Sequence, residues 1–138
     1  MSDGFALDAR LAADTWLVGD LPLCRVLMMR DARYGWLVLV PRHTDAVEVA
    51  DLPEAAQATL WREAGSAGAA LRAVTPCDKL NIGALGNIVR QLHVHVVARR
   101  EGDAAWPGPV WGFGKSEAFA EGEAERRIDA VRQQMGMA

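Results

Sequence analysis

Only two cysteines, Cys24 and Cys77, occur in 138 residues, far apart and without a C-x-x-C pair. They predict free thiols in a reducing cytoplasm rather than a disulfide framework or a zinc site using both. Long hydrophobic runs are also missing. The longest, Trp36 to Pro41, falls far short of the roughly 20 apolar residues that cross a bilayer. Met1-Ser2-Asp3-Gly4-Phe5 has no basic stretch followed by apolar residues, so no secretory signal is expected. There is no excess of positive charge either: 15 Lys and Arg against 18 Asp and Glu give a formal net charge of -3. That balance argues against non-specific nucleic-acid binding, while a locally positive site for a small anion remains open. No repeat, linker or low-complexity stretch divides residues 1–138, which read as one domain of a size that often dimerises.

What is present reads as alternating strands and helices. Phe5, Leu7 and Leu11 predict a short amphipathic helix over residues 5–14. Trp16 to Pro22 reads as a short strand ending in a turn, and Leu23 to Met29 as a second strand. Asp31 to Gly35 forms the loop to Trp36-Leu37-Val38-Leu39-Val40, uniformly apolar like a strand covered on both faces. Asp51-Leu52-Pro53-Glu54 carries the signals of a helix start, with Asp51 capping, Pro53 in the first turn and Glu54 completing a capping box. Leu52, Ala56, Leu60, Ala64, Leu71 and Val74 continue as an apolar stripe at helical spacing, which Pro76 ends. Strands are expected at Lys79 to Gly83 and Leu92 to Ala98, an irregular stretch at Trp106 to Gly112, and a last helix at about 121–135. Ala124, Ile128, Val131 and Met135 face inward on that helix. The order describes an α+β domain on an antiparallel sheet.

The segment Gln91-Leu92-His93-Val94-His95-Val96-Val97 concentrates the chemistry. Side chains at i and i+2 of a strand share a face, so Gln91, His93 and His95 form a polar row opposite Leu92, Val94 and Val96. Such a row can be an exposed sheet face with no role, a metal site, or a nucleophile with its helper. A metal needs a third ligand, and His43 is the only other histidine. Imidazole, with an ordinary pKa near 6.5, can attack phosphorus at neutral pH and form an N–P bond that water later breaks. Gly83-Ala84-Leu85-Gly86-Asn87 precedes the row and can supply backbone N–H groups and the Asn87 amide to the phosphate.

These residues resemble the histidine-triad (HIT) superfamily, whose signature is His-x-His-x-His followed by two apolar residues. Leu37 to Pro41-Arg42-His43 resembles its central strand and Pro-Lys/Arg-His ending. Asp51-Leu52 resembles the opening of its long helix, and Asn81-x-Gly83 with Gly86-Asn87 its approach to the triad. The resemblance covers roughly residues 20–100, and Trp106 to Gly112 looks like a feature of a bacterial branch. It implies a HIT-like α+β fold, a homodimer, and hydrolysis or transfer at the α-phosphate of a purine nucleotide or its conjugate. The reaction would pass through a covalent nucleotidyl-histidine without a metal or other cofactor. Carried over, His93 is the nucleophile and His95 contacts the phosphate or leaving group. Asp31 lies near the position that holds ribose hydroxyls, Asn87 at a phosphate contact, and Asn81 near the nucleotide.

Three positions depart from the family pattern. Gln91 stands in place of the first histidine and cannot carry a proton at neutral pH, Ile88 replaces a Ser or Thr, and Asn87 replaces a Gln. The nucleophile is retained while its surroundings differ, which bears on rate before binding. The resulting alternatives are a nucleotidyl hydrolase or transferase, a nucleotide-binding regulatory protein with little catalysis, and a metal-dependent hydrolase.

The remaining polar and aromatic residues have structural readings. His43 is expected to cap the strand or bond a backbone carbonyl, and Arg42 to be an exposed charge at a strand end. Arg99 and Arg100 are expected to be solvated. Trp36 reads as core or pocket lining, whereas Trp106 and Trp111 are expected to pack on a partner subunit or to close the pocket.

Overall fold

The computed structural model describes residues 4–137; Met1, Ser2 and Asp3 of the N-terminal stretch considered for a signal, and Ala138, lie outside them. Apolar alternation and turn residues produce strands β1 (Thr15–Asp20), β2 (Cys24–Met29), β3 (Gly35–Pro41), β4 (Lys79–Gly83) and β5 (Val94–Arg99). Helices are α1 (Ala9–Asp14), α2 (Glu54–Val74) and α3 (Glu123–Gln134). The strands form one antiparallel sheet in the order β1-β2-β3-β5-β4, so the expected α+β architecture is present. No helix among the described residues is long and apolar enough to cross a membrane.

Every residue of β3 is buried, because each sheet face carries its own core. On one face Leu37 and Leu39 of β3 join Val94 and Val96 of β5 beneath α2. Small residues let that helix approach: a Cβ at Gly68 would come within 3.0 Å of Leu80 Cδ1. α3 covers the same side, burying Ala124 and Val131, and Arg132 bonds the Val18 carbonyl. On the other face Trp36, Val38 and Val40 pack with Leu11, Tyr34, Val97, Ala105 and Val110. This second face carries the histidines.

Several expectations require correction. The N-terminal helix begins only at Ala9, where the Asp8 side chain accepts from the Arg10 N–H at 2.8 Å; residues 5–8 are irregular. Asp51 does not cap α2. It ends a 3₁₀ turn (Val49–Asp51), and its carboxylate accepts from the Val47 and Glu48 N–H groups, while Pro53 occupies the N-cap of α2. β5 starts at Val94 rather than Leu92, because the Leu92 N–H bonds the Ala46 carbonyl instead of a neighbouring strand.

Arg42 is buried rather than exposed, and its guanidinium donates to the Leu21, Pro22 and Leu23 carbonyls and to Asp20. Arg99 is not solvated but 1% exposed, paired with Asp103 at 2.8 Å. Glu63, inside the apolar stripe of α2, is buried because it accepts from the Leu23 and Cys24 N–H groups where β2 begins. Cys24 and Cys77 are free thiols; burial, reinforced by the Glu63 carboxylate, pushes the Cys24 thiol up and makes it a packing group.

Candidate active site

The chain reverses between β4 and β5 through residues 84–93 and delivers two imidazoles to one face. His93 sits just before β5 and His95 is its second residue, with ring centroids 4.9 Å apart. Both are nearly enclosed, at 6% and 8% exposure. His93 Nδ1 lies 2.7 Å from the Gln91 carbonyl oxygen. A carbonyl only accepts, so Nδ1 carries a hydrogen, and in the neutral ring Nε2 keeps its lone pair. His95 Nδ1 lies 3.0 Å from the indole Nε1 of Trp36 on the adjacent β3. Burial, and secondarily the neighbouring His93, lowers the His95 pKa to about 3.

Trp111 completes the aromatic surround, its ring centroid 5.4 Å from that of His95. Gly83, paired with His95 across β4 and β5, lies against it: a Cβ there would stand 3.4 Å from the Trp111 ring, an ordinary packing contact. The histidines line a cavity of about 420 Å³, within the usual range for small-molecule sites. Its walls are largely apolar, from Leu11, Met29, Leu85, Ile88 and Val89, with Arg10, Asp14 and Asn87 as polar members. A roomier groove of about 630 Å³ beside Trp16 and Phe119 contains no histidine or cysteine. Among the described residues no group of three or more His, Cys, Asp and Glu side chains is placed to hold a metal ion.

The residues expected to act together are only partly gathered here. His93, His95 and Asn87 line the cavity. Gln91 leaves the row: its Oε1 accepts from the Asp8 N–H and its Nε2 donates to the Ala6 carbonyl, both at 2.8 Å. It lines a separate hollow with residues 4–6 and 44–47. Asp31 also lies outside the cavity. Its carboxylate is buried against Arg33, 2.9 Å away, and accepts the Arg33 and Glu117 N–H groups. Burial would raise its pKa, but those bonds outweigh it and hold the carboxyl below its usual range. Asn81 is likewise committed, its Oδ1 accepting from Arg99 at 2.9 Å. Neither side chain lines the histidine cavity.

Other residues enter the site from unexpected places. Arg10 and Asp14 come from α1, predicted only as a short amphipathic helix; their one sequence signal is charge next to Leu11. Trp36 and Trp111 both prove to be pocket residues, whereas Trp106 lies over the Arg99 guanidinium, 5.6 Å from ring centroid to carbon. His43 bonds a backbone carbonyl, that of Thr44, at 3.1 Å.

The architecture has close counterparts. A histidine triad protein from Bradyrhizobium japonicum superposes with a TM-score of 0.93 at 53% identity, over 95% of this chain and 98% of that one. One from Sinorhizobium meliloti gives 0.92 at 50% identity, over 95% and 97% of the two chains. A third, from Marinobacter aquaeolei, gives 0.91 at 38% identity over 96% of each. No curated protein matches the chain. The HIT domain profile matches residues 10–102, from the first wall of the cavity to just beyond β5, and the chain belongs to the histidine triad family.

Proposed function

We propose that the His93/His95 cavity holds the α-phosphate of a purine nucleotide or nucleotide conjugate and that His93 Nε2 attacks its phosphorus. Family membership supports nucleotide binding and nucleotide hydrolase or transferase activity in general. The observation that carries the finer reading is the His93 Nδ1 bond to the Gln91 carbonyl, which in the neutral ring places the lone pair on Nε2, in a side chain that lines the cavity. In the first step the Nε2 lone pair forms an N–P bond while the leaving group departs with the electron pair of its own bond to phosphorus. In the second, water attacks phosphorus, the N–P electrons return to His93, and the water's extra proton passes to solvent. Another acceptor in place of water makes the reaction a transfer. Asn87 contacts the phosphate oxygens, and His95 the leaving-group side of the phosphate. Asp31 and Asn81, whose side chains are bonded elsewhere, have no part in this scheme.

A binding protein with little turnover is the second reading. Ile88 favours it, because this side chain at the cavity rim is 76% exposed and offers the leaving group no hydroxyl. The two readings separate in one assay: hydrolysis of adenosine 5′-phosphoramidate by wild type and His93→Ala, with a chelator present and AMP binding measured alongside. The enzyme reading expects turnover that drops by about 10³-fold or more in the variant while AMP binding persists. Equal turnover in both proteins would overturn the His93 mechanism. AMP binding with no turnover in either would favour the second reading.

A second copy of the chain is proposed to pair along β4, whose outer edge has no strand beside it among the described residues. Ile82 on that strand is 45% exposed, which supports apolar contact there. Free thiols at Cys24 and Cys77 support a cytoplasmic setting.

A further inference from the structure

We propose that Trp36 fixes the tautomer of His95, holding Nδ1 as an acceptor so that His95 serves only as an Nε2–H hydrogen-bond donor and never as a proton carrier. The inference rests on the reading that the histidine cavity is the phosphate site, and it assigns a positioning role to a residue outside the triad positions. Indole Nε1–H donates and cannot accept. Its 3.0 Å contact with His95 Nδ1 therefore requires a lone pair on that nitrogen, and the hydrogen of the neutral ring sits on Nε2.

The pairing of β3 with β5 enforces this contact. Val38 stands opposite His95 and Trp36 opposite Val97, so Trp36 and His95 are diagonal neighbours on one face. Trp36 is itself 6% exposed and packed edge-on against Tyr34, which leaves its indole little room to turn away. An imidazolium at His95 would need hydrogens on both nitrogens and would set two N–H donors against each other. The charged or titratable groups that line the cavity with it are His93, preceding β5, and Arg10 and Asp14 of α1. Burial acts in the same direction as the indole bond, since the neutral ring is the form favoured in an enclosed site.

The consequence for the chemistry is specific. When the bond from phosphorus to the leaving group breaks, the leaving group takes the electron pair and receives a hydrogen bond from His95 Nε2–H, but the proton stays on His95. Protonation of a basic leaving group then falls to solvent. Leaving groups that are stable as anions depart directly, whereas an amine, as in adenosine 5′-phosphoramidate, takes a proton from solvent before it departs.

Long-range ¹H–¹⁵N spectra of the ring nitrogens test the assignment without reference to turnover. In the wild type His95 is expected to show a bare Nδ1 and a protonated Nε2, unchanged between about pH 5 and pH 8. In Trp36→Phe, which keeps the aromatic bulk and loses the donor, the two nitrogens should average toward a mixture of tautomers. The His95 titration midpoint should then rise by about one pH unit or more. A protonated Nδ1 in the wild type, or spectra of His95 indifferent to the loss of the indole, would overturn the proposal. The wild-type spectrum decides even if the variant fails to fold. A protein that binds AMP without turning over any conjugate would sink the enzymatic reading while leaving this result intact.

Discussion

The Asp8 N–H donates to Gln91 Oε1 across 2.8 Å, and the same carboxamide returns a bond to the Ala6 carbonyl, so Gln91 pairs with the N-terminal segment much as a strand residue would. A carboxamide presents a donor and an acceptor side by side, as a peptide unit does; an imidazole presents its nitrogens on divergent axes. Gln91 thus anchors the segment that leads into α1, whose Arg10, Leu11 and Asp14 form one wall of the cavity.

Gln91→Ala removes two hydrogen bonds worth about 1 kcal/mol each. Hydrogen exchange at the Asp8 amide is expected to accelerate by roughly tenfold or more. The Kd for AMP should rise several-fold, with a smaller change in the rate of any chemical step. Exchange as slow as in the wild type would show that the carboxamide does not hold the segment.

His95 makes stability depend on pH in the weakly acid range. Its native pKa is lowered to about 3 by burial and by His93, against about 6.5 for the unfolded chain. Between these values the unfolded state binds the extra proton, so stability is highest above pH 6.5 and declines as pH falls toward 3. The slope approaches about 1.4 kcal/mol per pH unit, and the loss from pH 7 to pH 5 is about 2 kcal/mol. Urea unfolding at the two pH values should show this loss in the wild type and a smaller one in His95→Asn. Identical losses would mean that His95 is not held neutral.

Arg99 and Asp103 form an ion pair whose side chains are 1% and 3% exposed. Arg99 also donates to Asn81 and lies between the Tyr34 and Trp106 rings, while Asp103 accepts the Arg100 and Trp106 N–H groups. The pair therefore ties the sheet to the segment that brings Trp111 over His95. Asp103→Ala leaves a buried guanidinium without its partner and should cost about 3–5 kcal/mol, read as a lower midpoint in urea. The Arg99 hydrogen bond holds the Asp103 carboxyl below its usual range. This contribution is complete above the unfolded carboxyl pKa near 3.9 and fades as pH falls through the lower native value. Acid unfolding of Asp103→Asn should accordingly be less steep. An unchanged midpoint in Asp103→Ala would refute the structural role.

Ile82→Glu tests the proposed pairing of two copies. A carboxylate on the open edge of β4 would have to be buried without a partner if a second chain docked there. Light scattering is expected to give twice the chain mass for the wild type and a single chain for the variant. A wild type that stays single at micromolar concentration would rule out this assembly.

Much of the fold was legible because its signals are local. The continuous apolar run at Trp36 to Val40 announced a strand covered twice, and β3 is buried on both faces. The stripe from Leu60 to Leu71, ended by Pro76, marked α2, and α3 lies where its apolar spacing indicated. The boundaries missed were set by distant partners. Leu92 bonds Ala46, which delays β5, and residues 5–8 are pinned by Gln91 rather than coiled into helix.

Local spacing was enough to announce the type of chemistry on offer. The spacing of His93 and His95 puts two imidazoles on one side, and the ordered motifs around them point to one family. It did not determine which other side chains reach them. Gln91 shares their spacing but turns to the N-terminal segment, while Asp31 and Asn81 are taken up by Arg33 and Arg99. Trp36, Trp111 and Arg10, distant in sequence, converge on the cavity instead. Local periodicity determines the direction a side chain leaves the backbone. Its partner, and with it the hydrogen position on each imidazole, depends on strand register and burial, which are set when distant segments pack together.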